Sequence, residues 1–298
     1  MAFFSDIFCD GTKGHRYYDF VDVNLEDDNK LFIDPVLISL GSDPWCNNAR
    51  KCIDSFFDCL YKGFQNDTIQ DLLAHAHEQN ATKLGYGNGN NGKGATAEGL
   101  DECLRDLKKL VQQIPTIDKC EDLSVFIKGF AEDRMSDLLT NILHQPLNEF
   151  TSEQMKKLGI APSFTSSFYT WSIEEKMWKE VTMQSWAYRG KELLLVPKWI
   201  VRKNYLFKAH QYLTTVIIER IRINQSKEDF PKREIWKTIE RNCIHWEYDY
   251  VTDYSMEHPD ALSEYHQRIP AYYNRANGHH SDEDLDFYIY GKKLSITA

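Results

Sequence analysis

The chain has 298 residues and a net charge of −10, with 42% hydrophobic and 27% charged residues; this is the composition of a globular protein with one large domain or two small ones. No apolar run approaches the roughly 20 residues of a membrane span, and Met1-Ala-Phe-Phe-Ser-Asp6 lacks the basic start and long apolar core of a signal peptide. Seven cysteines without a CxxC pair predict a reduced, cytoplasmic protein.

Tyr18 to Asn24 alternates with the period of a strand, and Leu31 to Asp34 is a second short apolar run behind the polar turn Glu26-Asp-Asp-Asn29. The pair predicts an antiparallel hairpin closed by Pro35. Trp45 to Phe64 places Ile53, Phe56, Phe57, Leu60 and Phe64 at helical spacing. Helices are also predicted from Thr68 to Ala81 and from Thr96 to Ile114, the latter capped by Thr96. A short apolar run follows at Leu123 to Ile127. Helix is predicted again from Asp133 to Pro146, and Thr151 is placed to cap a short helix ending near Gly159. The texture then changes. Ser167–Ser172, Met177–Thr182 and Glu192–Val196 read as three strands joined by turns at Glu174-Glu175-Lys176 and Arg189-Gly190-Lys191. Beyond Ile200 the chain reads as mostly helical, with a long helix marked by Tyr212, Val216, Ile217 and Ile221, another from Pro231 to His245, and short helices in the tail. The expected class is α+β, mostly helical, with a small antiparallel sheet of about five strands built from both halves. The expected organisation is one domain over 1–298, with room for a helical subdomain over 205–298.

The segment from Gly85 to Thr96 holds five of the 15 glycines. Glycine permits close backbone approach, and the helix predicted behind the loop offers unpaired N–H groups at its start. Gly92, Lys93, Gly94 and Thr96 are therefore candidates to contact phosphate. The loop fails as a nucleoside-triphosphate P-loop, because Gly94 stands where Ser or Thr must hold magnesium and helix rather than strand precedes it. The same residues also read as a solvated loop tip.

Asp133, Asp137 and Asn141 recur at i, i+4 and i+8. On a helix they form one polar stripe, suited to a divalent cation such as Mg2+ or to orienting a water; a solvent-facing stripe with Asp133 as cap is the competing reading. Asp34 closes an apolar strand, where it could reach a cleft with Asp137 as a second metal ligand, or turn back on the residues after Pro35. The apolar strand from Glu192 to Val196 delivers Lys198, but Val196 stands where the PD-(D/E)xK nuclease core has an acid. Lys198 and Arg202 could share a helix face and bind phosphate. They lie in a segment, 176–241, with 15 Lys or Arg against 7 Asp or Glu, a balance of +8 set against −18 elsewhere. That segment is either a cationic face for nucleic acid or a set of solvated helix faces.

Four segments, Leu31–Pro35, the loop through Gly94-Ala95-Thr96, Phe130–Asn141 and Leu193–Arg202, resemble a family of uncharacterised bacterial proteins, some found among mobile-element and phage-defence genes. The resemblance implies a cytoplasmic bacterial protein with a role in antiphage defence and a partner protein from the same operon. Joined to the residues above, it leads to a first expectation of metal-dependent phosphodiester hydrolysis on nucleic acid. There Asp34, Asp133, Asp137 and Asn141 are catalytic, Asp34 and Asp137 hold the metal, and the glycine loop, Lys198 and Arg202 contact phosphate. The alternative is a non-catalytic sensor or adaptor that binds a nucleotide, nucleic acid or partner protein through the glycine loop.

Overall fold

The stripe of large side chains at Phe56, Phe57, Leu60 and Phe64 sits on the Pro44–Asn66 helix, and all four are buried. Burying each such side chain contributes about 1.5–3 kcal/mol, which makes this helix an organising element of the computed structural model. The structure describes residues 1–66, 69–76, 80–86, 104, 107–224 and 231–291.

Strands β2 (Phe164–Ser172), β3 (Met177–Tyr188) and β4 (Lys191–Leu193) form an antiparallel meander, as the alternation predicts. The β3–β4 turn holds Arg189 and Gly190 at φ +49° and +78°, the left-handed pair that a two-residue hairpin turn requires. Trp171 and Trp178 face each other in the β2–β3 register and pack edge-on against Phe56. Their indole nitrogens donate to Ser55 Oγ at 3.1 Å and to the Leu72 carbonyl at 2.8 Å. The meander therefore lies against the Pro44–Asn66 helix, with each buried indole N–H satisfied.

The other sheet has two strands, β1 (Phe32–Ile33) and β5 (Val201–Arg202), antiparallel with Phe32 opposite Arg202. The hairpin expected between Tyr18–Asn24 and Leu31–Asp34 does not form. Val21 N–H instead donates to the Val196 carbonyl, and Asn29 fastens the intervening turn by donating from Nδ2 to Lys83 O at 2.8 Å. The Leu123–Ile127 run lies largely in the Glu121–Phe126 helix. Thr151 is interior to a helix, His144–Lys157, which carries Pro146 in its first turn; Pro is tolerated there because its missing N–H has no helical partner. Of the helix expected from Thr68 to Ala81, one turn, Gln70–Leu73, is helical among the described residues. Of the helix expected from Thr96 to Ile114, Leu107–Gln113 is described and helical.

The C-terminal part is all helical among the described residues: Ala209–Asn224, interrupted by a π-helical turn at Leu213–Ile217, then Lys232–Ile239, Trp246–Glu257, Asp260–Arg275 and Asp282–Tyr290. The architecture is α+β and mostly helical. The last helix closes on the N-terminal residues. Asp286 accepts from both the backbone N–H and Nδ1 of buried His15, and Tyr290 donates to Asp22, itself buried, at 2.6 Å. No helix among the described residues is long and apolar enough to cross a membrane.

Candidate functional site: an occupied acidic centre and two open clefts

Asp34 follows β1 directly, and Pro35 starts a helix, Pro35–Leu40, with Asp34 as its cap. Its Oδ1 accepts from Val36 N–H at 2.9 Å and Leu37 N–H at 3.4 Å, and its Oδ2 accepts from the Tyr273 hydroxyl at 2.7 Å. The side chain is fully buried. Burial pushes its carboxyl up to about 7, against the opposing pull of Tyr273, Val36 N–H and Arg202. Asp34 is thus a helix cap with every oxygen engaged, not a group that opens on a cleft, and a metal there would have to displace three protein donors.

Arg202 is buried beside it. Its guanidinium lies 5.6 Å from the Tyr273 ring, and its Nη1 donates to the Gly278 carbonyl. Lys198 lies elsewhere, donating to the His15 carbonyl and pairing with Asp282, both at 2.7 Å. The expectation that Lys198 and Arg202 share a helix face fails because the chain passes from a 3-10 turn at Lys198–Ile200 into β5. Much of the positive segment is neutralised by acids: Lys208 pairs with Glu132, Arg220 with Asp260 and Glu264, Lys232 with Glu219, and Arg241 with Asp253.

The Glu132–Ile142 helix forms as predicted and is tied to β1, since Ile33 N–H donates to Ser136 Oγ at 3.1 Å. The Tyr205 hydroxyl stands 2.6 Å from the Ile33 carbonyl and 3.2 Å from that of Glu132. Asp133 and Asp137 are half-buried, whereas Asn141 is buried and donates back to the Asp137 carbonyl at 3.0 Å. Asp133 meets the first residues of the glycine segment. A Cβ placed on Gly85, whose φ is +144°, would stand 3.0 Å from Asp133 Oδ1, so this position favours glycine on both conformational and contact grounds. Gly92, Lys93, Gly94 and Thr96 lie outside the described residues. The structure thus gathers Asp34, Arg202 and the Asp133–Asn141 helix around the β1–β5 ladder and leaves Lys198 apart.

Two features have no local sequence signal. One is an acidic cleft of about 330 Å³ between the Pro44–Asn66 helix and residues 118–121, lined by Arg50, Asp54, Asp58, Asp118 and Glu121. Burial raises the carboxyl pKa of both Asp54 and Glu121. Next to it, Asp118, Asp122 and His266 bring ligand-type atoms within 4.8 Å of one another. Asp122 and His266 are 144 residues apart in sequence, and only folding brings them together.

The other is a cationic cleft of about 430 Å³ between the π-helical turn and the Asp260–Arg275 helix, lined by Thr215, Glu219, Lys232, Arg268, Tyr272 and Arg275 among others. The carbonyls of Thr214 and Thr215 are taken by Lys232 Nζ at 3.0 Å and Arg268 Nη1 at 2.6 Å. These bonds hold two cations at the rim. The Tyr272 hydroxyl is buried with no hydrogen-bond partner among the described residues, and the Arg275 guanidinium lies 6.0 Å from its ring. A buried hydroxyl without a partner is costly. Of the three cations beside it, Lys232 pairs with Glu219, which also lines the cleft, and Arg268 pairs with Glu264, so it is Arg275 that would draw an anionic acceptor.

Neither the curated proteins nor the solved structures contain a match to this chain. A family model does match, over residues 12–208, and so takes in the β1–β5 ladder, the Glu132–Ile142 helix and the acidic cleft while leaving out Tyr273, His266 and the whole of the cationic cleft. The chain belongs to the family described as domain of unknown function DUF8370.

Proposed function

We propose that the chain is a non-catalytic sensor or adaptor that binds a nucleotide, acting in the cytoplasm within a bacterial antiphage system. The observation that carries this is a cleft lined by Tyr272, whose buried hydroxyl has no hydrogen-bond partner among the described residues, with Lys232, Arg268 and Arg275 on its rim. Its volume suits a small ligand. The planar guanidiniums match phosphate oxygens, and the Tyr272 ring offers a stacking surface. The six described cysteines are free thiols, in keeping with a reducing compartment. The defence setting rests on the likeness of the four segments to bacterial proteins of that context.

The sensor reading leads because Asp34, Lys198 and Arg202 are committed to internal bonds, whereas on the cleft rim Lys232 and Arg268 are paired with Glu219 and Glu264 but Arg275 lies over the Tyr272 ring. A metal-dependent hydrolase acting on nucleic acid is the second reading, supported by Asp133 and Asp137 on one helix beside Gly85. The test is calorimetric titration with nucleoside mono-, di- and triphosphates at two salt concentrations, using the full chain and its Arg275→Glu and Tyr272→Phe variants. Saturable binding that weakens with salt and is lost in Arg275→Glu is expected. Binding indifferent to both variants would overturn the site. Mg2+-dependent phosphodiester turnover abolished by Asp137→Ala would replace the sensor with the hydrolase.

A further inference from the structure

We propose that Asp118 and His266, with Asp122 behind the imidazole, form a binding site for a divalent transition-metal cation of the zinc type. The site would clasp the Asp260–Arg275 helix to the family segment. Its design begins with Asp122, which is 1% exposed. One of its oxygens accepts from the N–H groups of Asp118 and Lys119, both at 3.0 Å, and the other meets His266 Nε2 at 2.7 Å. The carboxylate is saturated and immobile. A carboxylate bonded to one imidazole nitrogen places the proton there and turns the other nitrogen outward as a lone-pair donor, as the outer carboxylate of a metal-bound histidine does.

The outward nitrogen, His266 Nδ1, has no hydrogen-bond partner among the described residues although its side chain is only 9% exposed. Its neighbour is Asp118 Oδ1, 3.8 Å away, too far for a hydrogen bond. With His266 neutral, two lone-pair donors face each other across a gap. Zinc bonds of 2.0–2.2 Å to nitrogen and oxygen would bridge that gap at an angle of about 130°, and drawing the donors in to about 3.4 Å would give a tetrahedral angle. Asp118 can make that small movement, being 69% exposed. Two carboxylates and a neutral imidazole balance the charge of a divalent cation, and water completes the coordination.

The competing occupant is a proton. Although burial opposes it, Asp122, Glu121 and Asp118 together raise the pKa of His266. At neutral pH and above, a metal ion must displace at most that one proton, and the negative field that favours the proton favours the dication more.

The experiment uses the full chain, stripped with chelator and titrated with Zn2+ by calorimetry and with Co2+ by absorption, alongside Mg2+. One equivalent of Zn2+ is expected to bind and to raise the melting temperature by several degrees, with Mg2+ far weaker. Co2+ should give the weak bands of nitrogen and oxygen ligation without the intense band of a cysteine thiolate. Asp118→Ala alters an exposed side chain and should fold normally, yet lose both the binding and the melting shift. Absence of saturable Zn2+ binding, binding that persists in Asp118→Ala, or a thiolate band would each overturn the site.

Discussion

Replacing Asp34 by Asn should change the pH dependence of stability more than stability itself. Asp34 has a folded-state carboxyl pKa of about 7, against an ordinary 3.8. The fold therefore favours its protonated form. That contribution is fully present below about 4 and is lost as pH rises through about 7. Between pH 4.5 and 8 the loss integrates to roughly 3 kcal/mol at about 1.4 kcal/mol per pH unit. Asn keeps the cap, since its carbonyl can accept from Val36 N–H and Asn caps helices as well as Asp. Its amide can donate to the Tyr273 hydroxyl, which turns from donor to acceptor. Urea unfolding of both proteins at several pH values gives the difference directly, and groups that titrate alike in the two cancel. The variant should gain on the parent as pH rises, by roughly 3 kcal/mol over that range. Parallel stability curves would refute the argument and mean that Arg202 and the three donors keep Asp34 ionised at no cost.

Two further substitutions test the packing around the same centre. Tyr205→Phe keeps the ring stacked on Phe207 but strips the hydroxyl from the Ile33 and Glu132 carbonyls; the hydroxyl's single proton goes chiefly to the nearer Ile33 carbonyl, which loses its donor, and the urea midpoint should fall by the equivalent of about 1–3 kcal/mol with the slope unchanged. Gly41→Ala would place a Cβ 2.5 Å from Cys46 Sγ and 2.7 Å from its Cβ, an overpacking that should cost about 1–3 kcal/mol in chemical denaturation, and Gly41→Ala/Cys46→Ala should recover only part of it, because alanine at position 46 keeps the Cβ contact.

The parts of the fold legible in the sequence are those whose partners are near neighbours. β2, β3 and β4 announce themselves by alternation and by a turn containing Gly190, and each pairs with the next. The Pro44–Asn66 helix is legible because its stripe repeats over several turns. β1 is found, but its partner is not, because a two-residue strand carries no mark of a pairing 170 positions away. The Asp34-Pro35 dipeptide signals both a cap and a cleft-edge acid, and only burial and Tyr273 decide for the cap. Five residues at Leu123–Ile127 are too few for periodicity to separate helix from strand. At the candidate sites the limit is sharper. Asp122 and His266 look like ordinary surface residues until the fold joins them, and the positive balance of 176–241 says nothing of the acids from other elements that pair with several of its cations.

The bonds that His15, Asp22 and Asp34 make to Asp286, Tyr290 and Tyr273 set an order on the chain's assembly during synthesis. Three polar groups from the first 34 residues are buried, and each is satisfied by a residue that leaves the ribosome some 240 to 270 positions later. At about 5–20 residues per second the early segment waits many seconds with its acids hydrated and its apolar neighbours uncovered. Long loops must also close before these contacts reward the chain, which slows folding. The nascent protein should then be a client for chaperones that hold extended apolar segments, and protease resistance should arrive late and all at once, when the Asp282–Tyr290 helix docks.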